Sequence, residues 1–277
     1  MRIVSLLPSA TEIVAELGLL DALVGRSEEC DWPAEVRRLP VASASRVDMA
    51  GLSGREIDSV VRLAVADGQS LYMLDAELVE RLEPDVILTQ DLCRVCAVSS
   101  GEVCDVGAEV VSLDPHTLAE IAASVRELGR RLGAAARGEG VARRMEERID
   151  RVRRRAAGLP RRRVFVAEWL DPPFAAGHWL PELVAAAGGI DVLGRVGEPS
   201  RETTWAAVTA AQPELIVLAP CGFDATRAAA EATGLELPAP AVPVDANAFF
   251  SRPSPRVAEG AEILARILHP EAFSRAA

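Results

Sequence analysis

The chain contains no lysine: all thirty of its basic residues are arginine. That excludes a lysine Schiff base and a Walker-type phosphate loop. Positive charge is also in the minority, with 41 acidic residues and a formal net charge of −11, which argues against nucleic acid as the main partner. Aromatic residues make up only 4% of the chain. No apolar run approaches the roughly 20 residues of a membrane span. No basic segment leads into an apolar leader, because a buried-looking strand already starts at Arg2; this predicts a cytoplasmic protein. Gly-x-Ser-x-Gly, His-Glu-x-x-His and Gly-x-Gly-x-x-Gly are all missing, and no nucleophile, base and acid stand in order. The five cysteines are odd in number, and in a reducing compartment they read as thiols or ligands rather than a disulfide framework.

What is present is a globular composition, 49% hydrophobic over 277 residues, enough for two domains with a core each. The chain also states one pattern twice. An apolar run Ile3-Val4-Ser5-Leu6-Leu7 leads to a helical stretch, a Gly-Asp-rich turn and the segment Glu83-Pro84-Asp85-Val86-Ile87. The second half runs from Val164-Phe165-Val166 through Gly188-Gly189-Ile190-Asp191 to Gln212-Pro213-Glu214-Leu215-Ile216. Short, non-alternating Val/Ile/Leu runs separated by helices signal parallel strands covered on both faces. Strands are expected at 2–7, 85–89, 109–113, 163–168 and 214–219, with weaker ones near 23–26 and 241–244. Helices are expected at 10–18, 54–66, 75–82, 117–132, 139–157, 179–187, 203–211, 224–232 and 255–268. The Arg- and Glu-rich segment from Glu139 to Ala157 carries Val141, Met145, Ile149 and Val152 at helical spacing. It reads as a strut between two lobes, its Arg run a solvated face.

The expected fold is therefore α/β: two Rossmann-like lobes with parallel sheets, joined by a long rigid helix, with the ligand cleft between the lobes. The expected boundaries are an N-terminal lobe over 1–115, a helical connector over 116–160 and a C-terminal lobe over 161–277.

The opening Ile3-Val4-Ser5-Leu6-Leu7-Pro8-Ser9-Ala10-Thr11-Glu12-Ile13 resembles the start of class III periplasmic substrate-binding proteins, the vitamin B12 and siderophore group. The resemblance continues through Cys30-Asp31-Trp32-Pro33, Pro172-Pro173-Phe174-Ala175-Ala176-Gly177 and Phe249-Phe250-Ser251-Arg252-Pro253-Ser254-Pro255. It is closest to the cobalamin-binding members and implies a bilobal binder for a corrinoid. In that group a Glu on each lobe docks a membrane permease; in the second lobe the position falls near Ala206, so permease docking is in doubt.

Ligands of α/β sheets sit beyond the carboxyl ends of strands. Gln90 and Asp91 end one such strand, and Cys93 and Cys96 follow as a CxxC pair. With Cys30 and His178 they form the candidate metal set, for a bound ion or for the cobalt of a corrinoid. The bland reading is thiols lining a turn and a hydrogen-bonded histidine. Trp169 and Phe174 flank a Pro-Pro turn after a strand, and the resemblance places Phe174 against the corrin. Trp179, Phe249 and Phe250 extend an apolar platform for a large flat ligand, with core packing as the alternative. The resemblance makes Arg252 a ligand contact. Glu29 and Trp32 belong to an acidic loop suited to corrin amides or to plain solvation. Ser9 and Thr11 open a helix, where they meet a ligand acceptor or simply cap. The leading expectation is an intracellular cobalamin-binding protein. The alternatives are a metalloenzyme on the same scaffold with iron, zinc or cobalt, and the binding component of an ABC importer.

Overall fold

The computed structural model describes residues 1–67, 70–91, 98, 101, 103 and 107–273. The chain clusters into two compact units. One comprises Met1–Leu52, Glu56–Pro115 and Ser124–Val141; the other comprises Ser53–Arg55, His116–Ala123 and Ala142–Ala277.

The first unit is built on strands β1 (Ile3–Ser5), β2 (Leu23–Ser27), β3 (Val41–Ser45), β4 (Tyr72–Leu74), β5 (Val86–Thr89) and β6 (Glu109–Ser112). Their order in the sheet is β4-β3-β2-β1-β5-β6. All pairings are parallel except β3 with β4. Central position explains composition: Ile3, Val4, Ile87 and Leu88 are fully buried, as both faces of β1 and β5 are covered. Helices α1 (Pro8–Glu16), α2 (Gly54–Ala66) and α3 (Ala76–Leu82) connect these strands. Proline at the first position of α1 fits the helix start, since its missing N–H would be unsatisfied there anyway. Asp75 caps α3 by accepting from the Leu78 N–H at 2.9 Å.

Two longer helices follow, α4 (Leu118–Arg131) and α5 (Ala135–Ala156). The start of α4 is a capping box, and the helix begins one residue beyond the expected 117. Thr117 Oγ1 accepts from the Glu120 N–H (3.2 Å), while the Glu120 carboxylate accepts from the N–H groups of His116 (2.6 Å) and Thr117 (3.1 Å). Helix α5 has 22 residues and begins four positions before the expected Glu139. Gly138, inside α5, serves packing. A Cβ on Gly129 would lie 2.9 Å from the Gly138 Cα, so the two backbones meet where no side chain fits. One residue before that point, Arg137 donates to the Leu17 carbonyl at 2.9 Å and so closes the end of α1. Further along, Val141, Met145, Ile149, Val152 and Ala156 form the buried stripe.

The second unit is built on β7 (Arg162–Leu170), β8 (Pro173–Ala175), β9 (Gly189–Asp191), β10 (Arg201–Glu202), β11 (Leu215–Leu218) and β12 (Ala241–Pro243). The main order is β10-β8-β7-β11-β12, and β9 pairs with β7. Here β7 runs nine residues and serves two partners along one edge, β9 at its start and β8 at its end. Strands β8 and β10 are antiparallel, so this sheet is mixed. Helices α6 (Leu180–Ala186), α7 (Trp205–Ala210), α8 (Ala225–Glu231), α9 (Ala246–Phe249), α10 (Val257–Leu268) and α11 (Pro270–Phe273) complete it. The core gathers Phe165, Ala167, Leu170, Val208, Ile216 and Leu218. Arg148 of α5 ties this unit's helices together, donating to Glu262 at 3.0 Å and to Glu259 at 3.1 Å of α10.

Candidate functional site

The carboxyl end of the second sheet collects the largest set of predicted residues. Trp169, the next-to-last residue of β7, pairs across the ladder with Phe174 of β8. Both are partly exposed. The Trp169 ring lies 5.2 Å from Phe223, and the Arg227 guanidinium sits 3.8 Å over the Phe223 ring. The indole N–H of Trp169 is committed to the Gly54 carbonyl at 3.2 Å, so the residue offers a ring face rather than a donor. Asp171, in the β7–β8 turn, holds the Arg55 guanidinium through bonds of 2.8 and 3.0 Å and raises its pKa. Cys221 is exposed just past β11, its N–H bonded to the Glu168 carbonyl. Phe223 and Arg227 were not foreseen; the signal available was the aromatic two residues after Cys221, at the strand's carboxyl end.

The remaining aromatic candidates divide. Phe249 is partly exposed, with Arg256 over its ring at 4.8 Å. Trp179 and Phe250 are core residues, 5% and 1% exposed, and the Trp179 indole donates to the Phe250 carbonyl at 2.9 Å. They lock α9 beside α6, so the expected platform does not extend to them. Arg252 is 7% exposed and donates to Asn247 Oδ1 at 3.0 Å.

In the first unit the predicted residues are mostly inward. Thr11 is fully buried; its hydroxyl is within hydrogen-bond distance of Ser5 Oγ (2.8 Å), Cys30 Sγ (3.0 Å) and the Leu7 carbonyl (3.3 Å). Ser9 is 1% exposed, and its Oγ has no partner. Neither caps α1, whose N-cap is Leu7. Cys30 is a buried thiol engaged by Thr11 and the Ser5 carbonyl, which is packing rather than display. Gln90 is buried, whereas Asp91 and Glu29 are exposed and Trp32 is half-buried. Cys93 and Cys96 lie outside the described residues. Among the described residues no three His, Cys, Asp or Glu side chains are grouped to hold a metal ion.

His178 occupies an unusual backbone position. Its φ is +47°, a left-handed conformation that costs a non-glycine residue energy. Two backbone bonds hold it there: its N–H donates to the Glu198 carbonyl at 2.7 Å, and its carbonyl accepts from Gly197 at 3.0 Å. The ring centre lies 5.3 Å from that of His116 and 5.7 Å from that of Trp179. Burial, and then the nearby charge of His116, push its pKa down. Two acids brace the same region. Glu168 accepts from the Gly177 N–H at 2.8 Å, and Asp191 accepts from Gly194 at 2.8 Å and Leu193 at 3.2 Å. Desolvation pushes both carboxyls up to about 7 despite those bonds, with Glu168 adding to the rise at Asp191.

Comparison with known proteins bears on this geometry. Residues 3–235 match the family described as "Periplasmic binding protein". A vitamin B12-binding protein from Vibrio cholerae serotype O1 is 25% identical over 217 residues, covering 78% of this chain and 69% of that one. The crystal structure of the periplasmic vitamin B12 binding protein of Vibrio cholerae superposes with a TM-score of 0.69 at 22% identity, over 99% and 98% of the two chains. The apo periplasmic heme-binding protein from Roseiflexus sp. RS-1 gives 0.72 at 20% identity, over 98% and 99%. These structures share the fold of two α/β lobes. The expected cytoplasmic location is overturned by the same finding: the matched family and the relatives are periplasmic. The expected reducing compartment for the cysteines falls with it. The expectation rested on the start of the chain, and the start of a sequence is a poor guide to where its protein works. Among the described residues no helix is long and apolar enough to cross a membrane.

Proposed function

Because the chain belongs to the periplasmic binding protein family, we propose that it captures a large flat tetrapyrrole-type ligand, a cobalamin or related corrinoid, for an ABC importer. The importer reading replaces the intracellular one. The observation that carries the ligand class is the aromatic group at the carboxyl end of the second sheet, Trp169 and Phe174 side by side on paired strands with Phe223 behind. Partly exposed rings that cannot reach a full core offer apolar contact to a macrocycle face. Arg227, stacked on Phe223, adds a cation for polar groups at the macrocycle rim. The vitamin B12-binding relative at 25% identity favours a corrinoid within that class. The His178 ring lies 5.3 Å from that of His116, and capture by ring faces does not require an axial imidazole. Permease docking remains part of the importer reading, although the exposed Ala206 on α7 gives no carboxylate there.

The test is titration of the protein with cyanocobalamin, dicyanocobinamide and hemin, followed by calorimetry and visible absorption. One corrinoid bound per chain, with Phe174→Ala weakening it, supports the reading. Saturable binding of hemin with no corrinoid uptake transfers the site to heme. Silence with all three overturns the tetrapyrrole class.

A further inference from the structure

We propose that His116 and His178 form a two-imidazole site for a borderline divalent transition metal ion. This goes beyond tetrapyrrole capture, for it requires no macrocycle. The two residues are 62 positions apart, yet both belong to the second compact unit, and their ring centres are 5.3 Å apart. With metal–nitrogen distances of about 2.0–2.1 Å, two imidazoles on one tetrahedral ion place their ring centres about 5 Å apart. The tilt of 55° between the rings is compatible with shared coordination and is not a stacked pair.

A second observation is independent of that distance. His116 Nδ1 is buried and has no hydrogen-bond partner. A buried polar atom left unpaired costs free energy, and an unplaced ion is one of the few reasons for it to persist. The backbones that carry the two rings are also held in place. His116 is fixed by its N–H to Glu120 and by the capping box that follows, and Leu118 donates to Glu182 of α6 at 2.8 Å. His178 is fixed in its left-handed conformation by Gly197 and Glu198, and that loop is braced by the Arg195 N–H on the Ala176 carbonyl at 3.1 Å. Such backbone anchoring orients ligands before the ion arrives. Among the described residues no third side chain completes a closed metal cage. The site therefore supplies two protein nitrogens, water fills the other positions, and affinity falls in the micromolar range. Imidazole nitrogen suits zinc, nickel and copper, with copper(II) bound tightest.

The experiment uses the full chain in chelator-free buffer. Calorimetry with zinc chloride should show one ion per chain. Electron paramagnetic resonance with one equivalent of copper(II) chloride should show coupling to two nitrogens. His116→Gln and His178→Asn should each weaken zinc by about tenfold or more and remove one nitrogen from the copper spectrum; asparagine is chosen because it tolerates φ above zero. His269→Gln should change neither. Circular dichroism checks that each variant is folded; should His178→Asn fail that check, His116→Gln decides alone. No zinc heat from the wild-type chain at about 100 µM, far above a micromolar dissociation constant, overturns the proposal. So does undiminished binding in a folded His116→Gln variant.

Discussion

The two units answer the same β-α-β order in different ways. In the first, the residues at the start of α1 turn inward: Thr11, Ser5 and Cys30 satisfy one another in the core. In the second, a nine-residue β7 runs past its parallel neighbours and folds back as β8, carrying Trp169 and Phe174 to the sheet's carboxyl end. Nearby lie a left-handed histidine and two acids with raised pKa values, Glu168 in β7 and Asp191 at the end of β9. An added antiparallel hairpin thus converts a strand end from a core element into a surface that presents rings. The left-handed His178 and the two carboxyls raised to about 7 lie in the unit that has the hairpin, and such features accompany functional sites.

The sharpest way to break this comparison is to remove a ring from each role. Phe165→Ala deletes a fully buried side chain at the heart of the second unit. It should cost about 3–5 kcal/mol in chemical denaturation. Phe174→Ala should leave stability nearly intact but weaken the corrinoid by about 10–100-fold, as expected when one aromatic side chain loses its burial. If both variants lose stability equally and affinity is unchanged, the rings of β7 and β8 are core and the contrast fails.

The acids sharpen the comparison further. Glu168 and Asp191 are held near 7, above ordinary values of 4.5 and 3.8. Between those limits the folded chain binds more protons than the unfolded one. Their contribution is full below about pH 4 and is lost as pH rises through about 7. Glu168→Gln keeps an acceptor for the Gly177 N–H and abolishes one titration. Urea midpoints measured from pH 4.5 to 8 should fall less steeply in the variant than in the wild type. Identical slopes would mean that the carboxyl is ionised throughout. The smallest effect belongs to the first unit. Thr11→Val keeps the shape and removes the hydroxyl bonded to Ser5 and Cys30, at a cost of about 1 kcal/mol. It should leave ligand affinity untouched if this network is only structural; a loss of affinity would make α1 part of the site.

What the sequence made legible follows from periodicity. Helix α2 occupies the expected 54–66, and β5 and β11 fall within a residue of their apolar runs. Strands β3, β4, β8, β9 and β10 were not foreseen. All but the five-residue β3 are two or three residues long; β10 is Arg201-Glu202 and exposed, and β8 lies in a Pro-Pro segment that reads as a loop. Such strands exist because a neighbour offers a ladder, which no local pattern records. The site was legible in part for the same reason. Trp169 and Phe174 are marked by position beyond a strand. The burial of Trp179 is decided by Phe250, 71 residues away. Cys30 looked like a ligand only because its partner Thr11, 19 residues earlier, cannot be seen from spacing.

The crossing of Gly129 and Gly138 has a consequence for how this protein can drift. The chain is rich in alanine, and a glycine codon becomes an alanine codon by a single base change. At most exposed helix positions that exchange is favourable. Here either alanine would drive a methyl group into the opposite backbone, at 2.9 or 3.1 Å from a Cα. Replacing either glycine would force the two backbones apart, so each exchange costs packing at the crossing. The helix pair is therefore shut off from the commonest mutational route to a better helix. Related chains should keep small residues at both positions, however far the rest of α4 and α5 diverges.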